Sequence, residues 1–187
     1  PPTALAIGVF DGAHLGHMRL FERARQIAAE NAAREPGVPG AVPWRAAVFT
    51  FQAHPLTLLR PAQAPSVLST LERRLDWMEE AGLDLAAAVP FDAALAEMEA
   101  LEFLREIVAG ALGARRLLFG PDFRFGRGGA GDERLVREAG AALGIEAVPV
   151  APAYLGGEPV SRSRIRRAIR EGRLEEAEAL LGRPYEI

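Results

Sequence analysis

The stretch GVFDGAHLGH, Gly8–His17, closes a short apolar run at Ala4–Phe10 and opens a segment of helical periodicity at His17–Ala33. An apolar run ended by turn residues and followed by good helix formers predicts a buried strand, a tight loop and a helix. The loop holds two of the chain's three histidines, His14 and His17, together with Asp11, Gly12 and Gly16. The start of a helix offers free N–H groups and partial positive charge, which favour anions. Glycines let backbone approach a ligand closely. Imidazoles spaced i, i+3 share a face and can hydrogen-bond phosphate oxygens, stabilising charge that develops there. Two plainer readings stand beside this one: a helix entry with incidental histidines, or a metal pair, for which no third ligand is evident nearby.

Working outward, four further strands are expected at Arg45–Phe51, Leu85–Phe91, Arg115–Gly120 and Ile145–Val150. Between them lie helical patterns at Ser69–Gly82, Glu99–Gly113 and Gly131–Gly144, and two more helices close the chain. Ser69 reads as the cap of the first of these, with Glu72 in the capping-box position and Gly82 at its end. Arg34–Pro43 reads as a surface loop and Gln52–Ser66 as a long irregular one. Alternating strands and helices predict an α/β fold with a parallel sheet and right-handed crossovers. In such sheets ligands sit beyond the C-terminal strand ends. Gly8–His17, Gln52–Ser66 and Gly120–Asp132 all follow strands and are expected to converge on one edge.

The totals fit one globular domain: 187 residues, 49% hydrophobic, 25% charged, net charge −3. That balance gives no reason to expect nucleic acid or a membrane surface as partner. Cysteine is absent, which excludes disulfides, thiolate metal sites and a cysteine nucleophile. No apolar run is long enough to span a bilayer, so a cytoplasmic enzyme or binding domain is the expectation. All 22 basic residues are arginine. A P-loop and a Schiff-base lysine are therefore impossible. Any bound phosphate must be held by arginine, histidine and backbone N–H groups.

Three later segments add candidates. Phe51-Gln-Ala-His54-Pro55 is a rigid loop with an aromatic that can flank a planar ring. Phe119–Glu133 contains Gly126-Arg-Gly128-Gly129-Ala-Gly131, which formally fits G-x-G-x-x-G but comes too late in the chain for a dinucleotide fingerprint. A flexible glycine loop is the plainer reading, with a mobile lid as a secondary one. Ser161, Arg162, Ser163, Arg164, Arg166 and Arg167 open a helix whose hydroxyls and guanidinium groups suit a polyphosphate. A solvated basic helix face is the plainer reading.

Taken in order, these motifs resemble one family. His14-Ala-Gly16-His17 matches the HxGH signature of adenylyl- and cytidylyltransferases, and GVFDGAHLGH is similar to the opening of bacterial FAD synthetases, in their FMN adenylyltransferase module. Phe51-x-x-His54-Pro55, the Gly120/Asp122/Phe123/Phe125/Gly126…Gly131/Asp132 element and Val160-Ser161-x-Ser163-x-Ile165-Arg166 match that family's later motifs. Two departures stand out: Pro159 replaces the usual arginine before Val160, and Arg162 replaces the middle serine.

The resemblance implies a Rossmann-like nucleotidyltransferase domain over residues 1–187, with 159–187 as C-terminal helical segment and hinge. It implies AMP transfer from ATP to FMN, giving FAD and pyrophosphate, with Mg²⁺ held mainly by phosphates. His14, His17 and Arg166 would be catalytic. Gly8, Phe10, Asp11, Gly16, Ser161, Arg162 and Ser163 would bind ATP. His54, Pro55, Asp122, Phe123 and Phe125 would border FMN. The family's C-terminal riboflavin kinase module is expected to be absent. The alternatives are a nucleotidyltransferase acting on another phosphorylated acceptor, and a non-catalytic flavin- or nucleotide-binding module.

Overall fold

A computed structural model describes residues 1–34 and 42–186. Most of the expected Arg34–Pro43 loop therefore lies outside the described residues. Five strands, β1 (Thr3–Ile7), β2 (Arg45–Phe51), β3 (Leu85–Val89), β4 (Ala114–Phe119) and β5 (Glu146–Pro149), form one sheet in the order β3-β2-β1-β4-β5. Every neighbouring pair is parallel. The chain runs outward from β1 to β3 on one side and returns to β4 and β5 on the other. β1 and β4 therefore flank the switch point, where the crevice of an open α/β sheet lies.

Period-two alternation explains both faces. Ala4 and Ala6 of β1 pack with α1 (Leu15–Arg34), through Phe21, Ala24 and Ile27, and with Trp77 and Met78 of α3 (Leu71–Glu80). Leu5 and Ile7 face the opposite core, with Leu104, Val108, Leu117 and Val136. All of β1 is buried, as a central parallel strand must be. A third cluster, Leu68, Ala153, Val160, Ile165, Leu180 and Leu181, seats α7 (Arg162–Arg170) and α8 (Leu174–Leu181) beside the β1 loop.

The structure corrects the sequence reading in several places. Helix α3 is capped by Thr70, whose hydroxyl accepts from Arg73 N–H at 3.3 Å. Ser69 is drawn away from that role by Asp11. Gln52–Ser66 is not wholly irregular, since it holds α2 (Leu56–Leu59) and a 3₁₀ turn at Pro61–Gln63. After α4 (Ala93–Glu97), the helix expected at Glu99–Gly113 is a short α-helical turn, α5 (Ala100–Glu102), continued by a π-helix over Phe103–Ala111. Helix α6 (Glu133–Leu143) follows β4 with Asp132 as its cap. A small antiparallel hairpin, β6 (Tyr154–Leu155) and β7 (Glu158–Pro159), precedes α7 and is too short to show periodicity. Strand β1 stops at Ile7, so Gly8–Phe10 belong to the loop.

Candidate active site

The loop after β1 turns through left-handed backbone at Phe10 (φ 53°), Gly12 (φ 75°) and Ala13 (φ 34°). Two of those three are not glycine, which marks backbone held by its surroundings. Asp11 supplies much of the hold. It is 6% exposed and accepts from Leu68 N–H (2.9 Å), Ser69 N–H (3.0 Å) and Ser69 Oγ (3.1 Å). Ser69 Oγ in turn accepts from Gly12 N–H at 2.8 Å. Arg166 of α7 donates to Asp11 at 2.6 Å and, through Nε, to the Ser66 carbonyl at 2.6 Å. Asp11 and Arg166 thus form a largely buried, hydrogen-bonded pair that ties α7 to the loop.

His14 caps α1 with its own ring. Its carbonyl accepts from His17 and Met18 N–H, and its Nδ1 accepts from Gly16 N–H at 3.1 Å. An accepting Nδ1 places the ring proton on Nε2. Gly16 eases this closeness: a Cβ there would stand 3.1 Å from Cε1 and 3.2 Å from Nδ1 of His14, and the ring would have to give way. The His14 and His17 rings stack, with centroids 3.6 Å apart at 18°. Phe10, fully buried, meets His17 edge-on at 5.1 Å. His17 Nδ1 is buried with no hydrogen-bond partner, an unsatisfied polar atom of the kind found at functional sites.

Both rings are held neutral. Burial, then the Arg162 guanidinium, pushes the His14 pKa down to about 4. Burial, His14 and then Arg162 hold His17 well below the ordinary imidazole range. Burial and Arg162 lower His54 as well. The site is therefore two stacked neutral imidazoles at a helix N-terminus, ringed by guanidinium charge. Its buried carboxylate, Asp11, is already paired. Such a place receives an anion.

The arginines divide by what they hold. Arg164 is committed to structure, donating to Glu176 at 3.0 Å and to the carbonyls of Leu155 and Glu158. Arg166 belongs to Asp11. Arg162 has Nη1 3.4 Å from His54 Nε2 and no carboxylate in ion-pair contact among the described residues. Ser161 caps α7 by accepting from Arg164 N–H at 3.3 Å, and Ser163 is exposed.

The loops after β1 and β2 and the start of α7 thus meet, bringing His14, His17, His54 and Arg162 together. The β4 loop follows the strand on the other side of β1 from β2. Asp122 and Phe123 line a cleft of about 400 Å³ with Phe119, Gly120, Arg124 and Asp132. Phe123 stacks between Phe119 (4.7 Å) and Phe125 (5.0 Å). Phe125 is buried against Phe103. The glycine segment Gly126–Gly131 is folded back by a two-way backbone pairing of Phe125 with Gly131. Among the described residues no cluster of three His, Asp or Glu is placed to hold a metal ion. None of their helices is long and apolar enough to cross a membrane.

Two positioning arginines escaped the sequence reading. Arg74 is 4% exposed and donates to the carbonyls of Val9 (3.0 Å), Phe51 (2.8 Å) and Gln52 (2.7 Å), bracing the ends of β1 and β2. Its signal was available: it shares the apolar face of α3 with Trp77 and Met78, at i+3 and i+4. Arg183 lies 3.5 Å from the centre of the Trp77 ring and donates to the carbonyls of Gly12 and Ala13, just before His14. It stands in an aperiodic tail, and no sequence pattern marks it.

Comparison with known proteins places the chain among its relatives. A family model described as FAD synthetase matches residues 1–164. The bifunctional riboflavin kinase/FMN adenylyltransferase of Escherichia coli K12 is 32% identical over 183 residues, which cover 98% of this chain and 55% of that protein. The protein of the same description from Pseudomonas fluorescens is 33% identical, over 97% of this chain and 54% of its own length. The chain thus spans about half the length of the curated relatives it matches. A crystal structure from Streptococcus pneumoniae, titled a macrolide-efflux protein, superimposes with a TM-score of 0.80 at 25% identity, over 99% of this chain and 58% of its own. With four motifs in order, a parallel sheet whose β1 loop carries the paired imidazoles, and a family match over most of its length, the chain belongs to the FAD synthetase family.

Proposed function

We propose that the chain transfers AMP from ATP to FMN, releasing pyrophosphate. The observation that carries this is the stacked, neutral His14–His17 pair at the N-terminus of α1, beside the β1/β4 crevice, within the electrostatic reach of Arg162 and with Asp11 already engaged. The names of the relatives, which include FMN adenylyltransferase, support the same reading.

In this reaction an oxygen of the FMN phosphate bonds to the α-phosphorus of ATP. The bond from that phosphorus to the α,β-bridging oxygen breaks, and its electron pair leaves with pyrophosphate. No protein nucleophile is needed. Catalysis is then a matter of positioning and of charge stabilisation. His14 donates from Nε2–H to a phosphate oxygen, and the positive end of the α1 dipole favours the same anion. A ring kept neutral by burial keeps its orientation and donates a hydrogen bond without giving up its proton. Arg166 and Asp11 position the loop. Phe10 fixes His17, and Gly8 leaves room for the Phe10 ring, which a Cβ at Gly8 would meet at 3.0 Å. Ser161 and Ser163 present the start of α7.

Pro55, with the edge-on pair Phe51 and Phe91 (5.4 Å), forms one flank for a planar ring. The Asp122–Phe123 cleft, across β1 from His54, forms the other. Among the described residues no cluster of carboxylates fits a resident Mg²⁺, and Asp11 is already engaged by Ser69, Leu68 and Arg166. The ion would arrive on the polyphosphate, and no step is assigned to it.

The test is FMN-dependent pyrophosphate release, with FAD followed by chromatography, for the wild type and the H14A/H17A double variant. The expected result is FAD formation that falls by about 10²–10³-fold in the variant. Tight FMN or ATP binding without FAD would leave a binding module and overturn the assignment.

A further inference from the structure

His54 and Arg162 face each other in a way that the chain alone does not satisfy. Leu56 N–H donates to His54 Nδ1 at 3.2 Å, so Nδ1 carries the lone pair and Nε2 carries the proton. Arg162 Nη1, which can only donate, lies 3.4 Å from that same Nε2. Two N–H donors therefore converge on one space. An oxygen anion accepting from both resolves the conflict. We propose that His54 Nε2–H and Arg162 Nη1–H form a subsite for the attacking phosphate of a phosphate-monoester acceptor, distinct from the His14–His17 position. This rests on the proposed adenylyl transfer and assigns Arg162 to the acceptor instead of to ATP.

Four further observations support the assignment. Arg162 is partly buried, and its burial and the neighbouring Arg166 disfavour its charge while Asp11 favours it, so a bound dianion would stabilise it further. Asp11, the carboxylate closest in influence, is closed by Ser69, Leu68 and Arg166. His54 stands on the β2 loop, beside the β1 loop that carries His14 and His17. Arg162 acts electrostatically on all three imidazoles, which places it where two reacting phosphates would meet. Guanidinium charge between two anions lowers their mutual repulsion and aligns one for attack on the other.

Histidine NMR on the intact chain tests this directly, with the three rings distinguished by an H54N variant. Inorganic phosphate is expected to shift the His54 ring resonances saturably in the wild type and to leave them unmoved in R162S. In steady-state kinetics R162S is expected to raise KM for FMN by about tenfold or more, the worth of one charge-assisted hydrogen bond, with KM for ATP within about twofold. R162K, which keeps the charge and loses the fork, recovers part of the loss. Position 162 is the first residue of α7 and leaves the Ser161 cap in place, so the far-UV spectrum of R162S is expected to be unchanged. A His54 ring indifferent to phosphate overturns the subsite. A rise in KM for ATP with KM for FMN unchanged overturns its assignment to the acceptor. A wild type that makes no FAD, yet whose His54 responds to phosphate in an Arg162-dependent way, overturns the proposed reaction and leaves the subsite standing.

Discussion

Acidification from pH 7 to pH 5 perturbs this fold at its functional centre. His14, held down to about 4 by burial and Arg162, titrates near 6.5 once the chain unfolds. Between those values the unfolded chain binds a proton that the folded chain refuses. Stability therefore rises with pH through this window and falls as pH drops below 6.5, by about 1.4 kcal/mol per pH unit for each such ring. From pH 7 to pH 5 the loss is about 2 kcal/mol for His14. His17, displaced in the same direction by burial and by His14, adds to the loss. The His14 contribution alone is a large share of the 5–15 kcal/mol expected of a domain. Asp132 and Glu171, whose carboxyls are also shifted down, lose their stabilising effect only toward and below their ordinary values of 3.8 and 4.5, under this window. Urea unfolding at pH 7, 6 and 5 measures the change, with constant m as the check on two-state behaviour. The H14Q/H17Q double variant is expected to show a much flatter dependence. A wild type whose stability is level within about 0.5 kcal/mol from pH 7 to pH 5 would refute the claim that the rings are buried and neutral.

Other outcomes follow from single contacts. G16A pushes a Cβ against the His14 ring, and pyrophosphate release is expected to drop by about 10–10²-fold with less than about 2 kcal/mol lost in urea unfolding. R74M strands the carbonyls of Val9, Phe51 and Gln52 and is expected to cost about 3–5 kcal/mol, read from the denaturation midpoint; a loss under about 1 kcal/mol would show that the brace is dispensable. R183M removes the donor to Gly12 and Ala13 and the cation over Trp77, with an expected loss of about 2–3 kcal/mol and a rise in the His14 pKa measurable by NMR.

Much of this protein was legible in the order of its residues. Apolar runs broken by turns, alternating with amphipathic stretches, required parallel βαβ units, because each strand must be covered on both faces. Local chemistry also marked the β1 loop: two imidazoles, an aspartate and glycines at a helix start have few structural uses. The capping by His14 and its tight contact with Gly16 are local too, spanning residues 14 to 18. The roles that misled were those in which a local rule lost to a distant partner. Ser69 suits a helix cap, but Asp11, 58 residues away, takes its hydroxyl and leaves the cap to Thr70.

Only the tertiary structure decided which charges stay available. Arg162, Arg164 and Arg166 are alike in sequence. Glu176 and two carbonyls bind Arg164, Asp11 binds Arg166, and Arg162 is left facing His54. The neutrality of the histidines was likewise invisible in the chain, because burial and the approach of Arg162 and Arg183 come from residues about 150 positions away. Pattern reports which face of an element is covered. Which donor finds which acceptor depends on where α7 and the tail dock, and that is set by packing of Leu68, Val160, Ile165 and Leu181 across the whole domain.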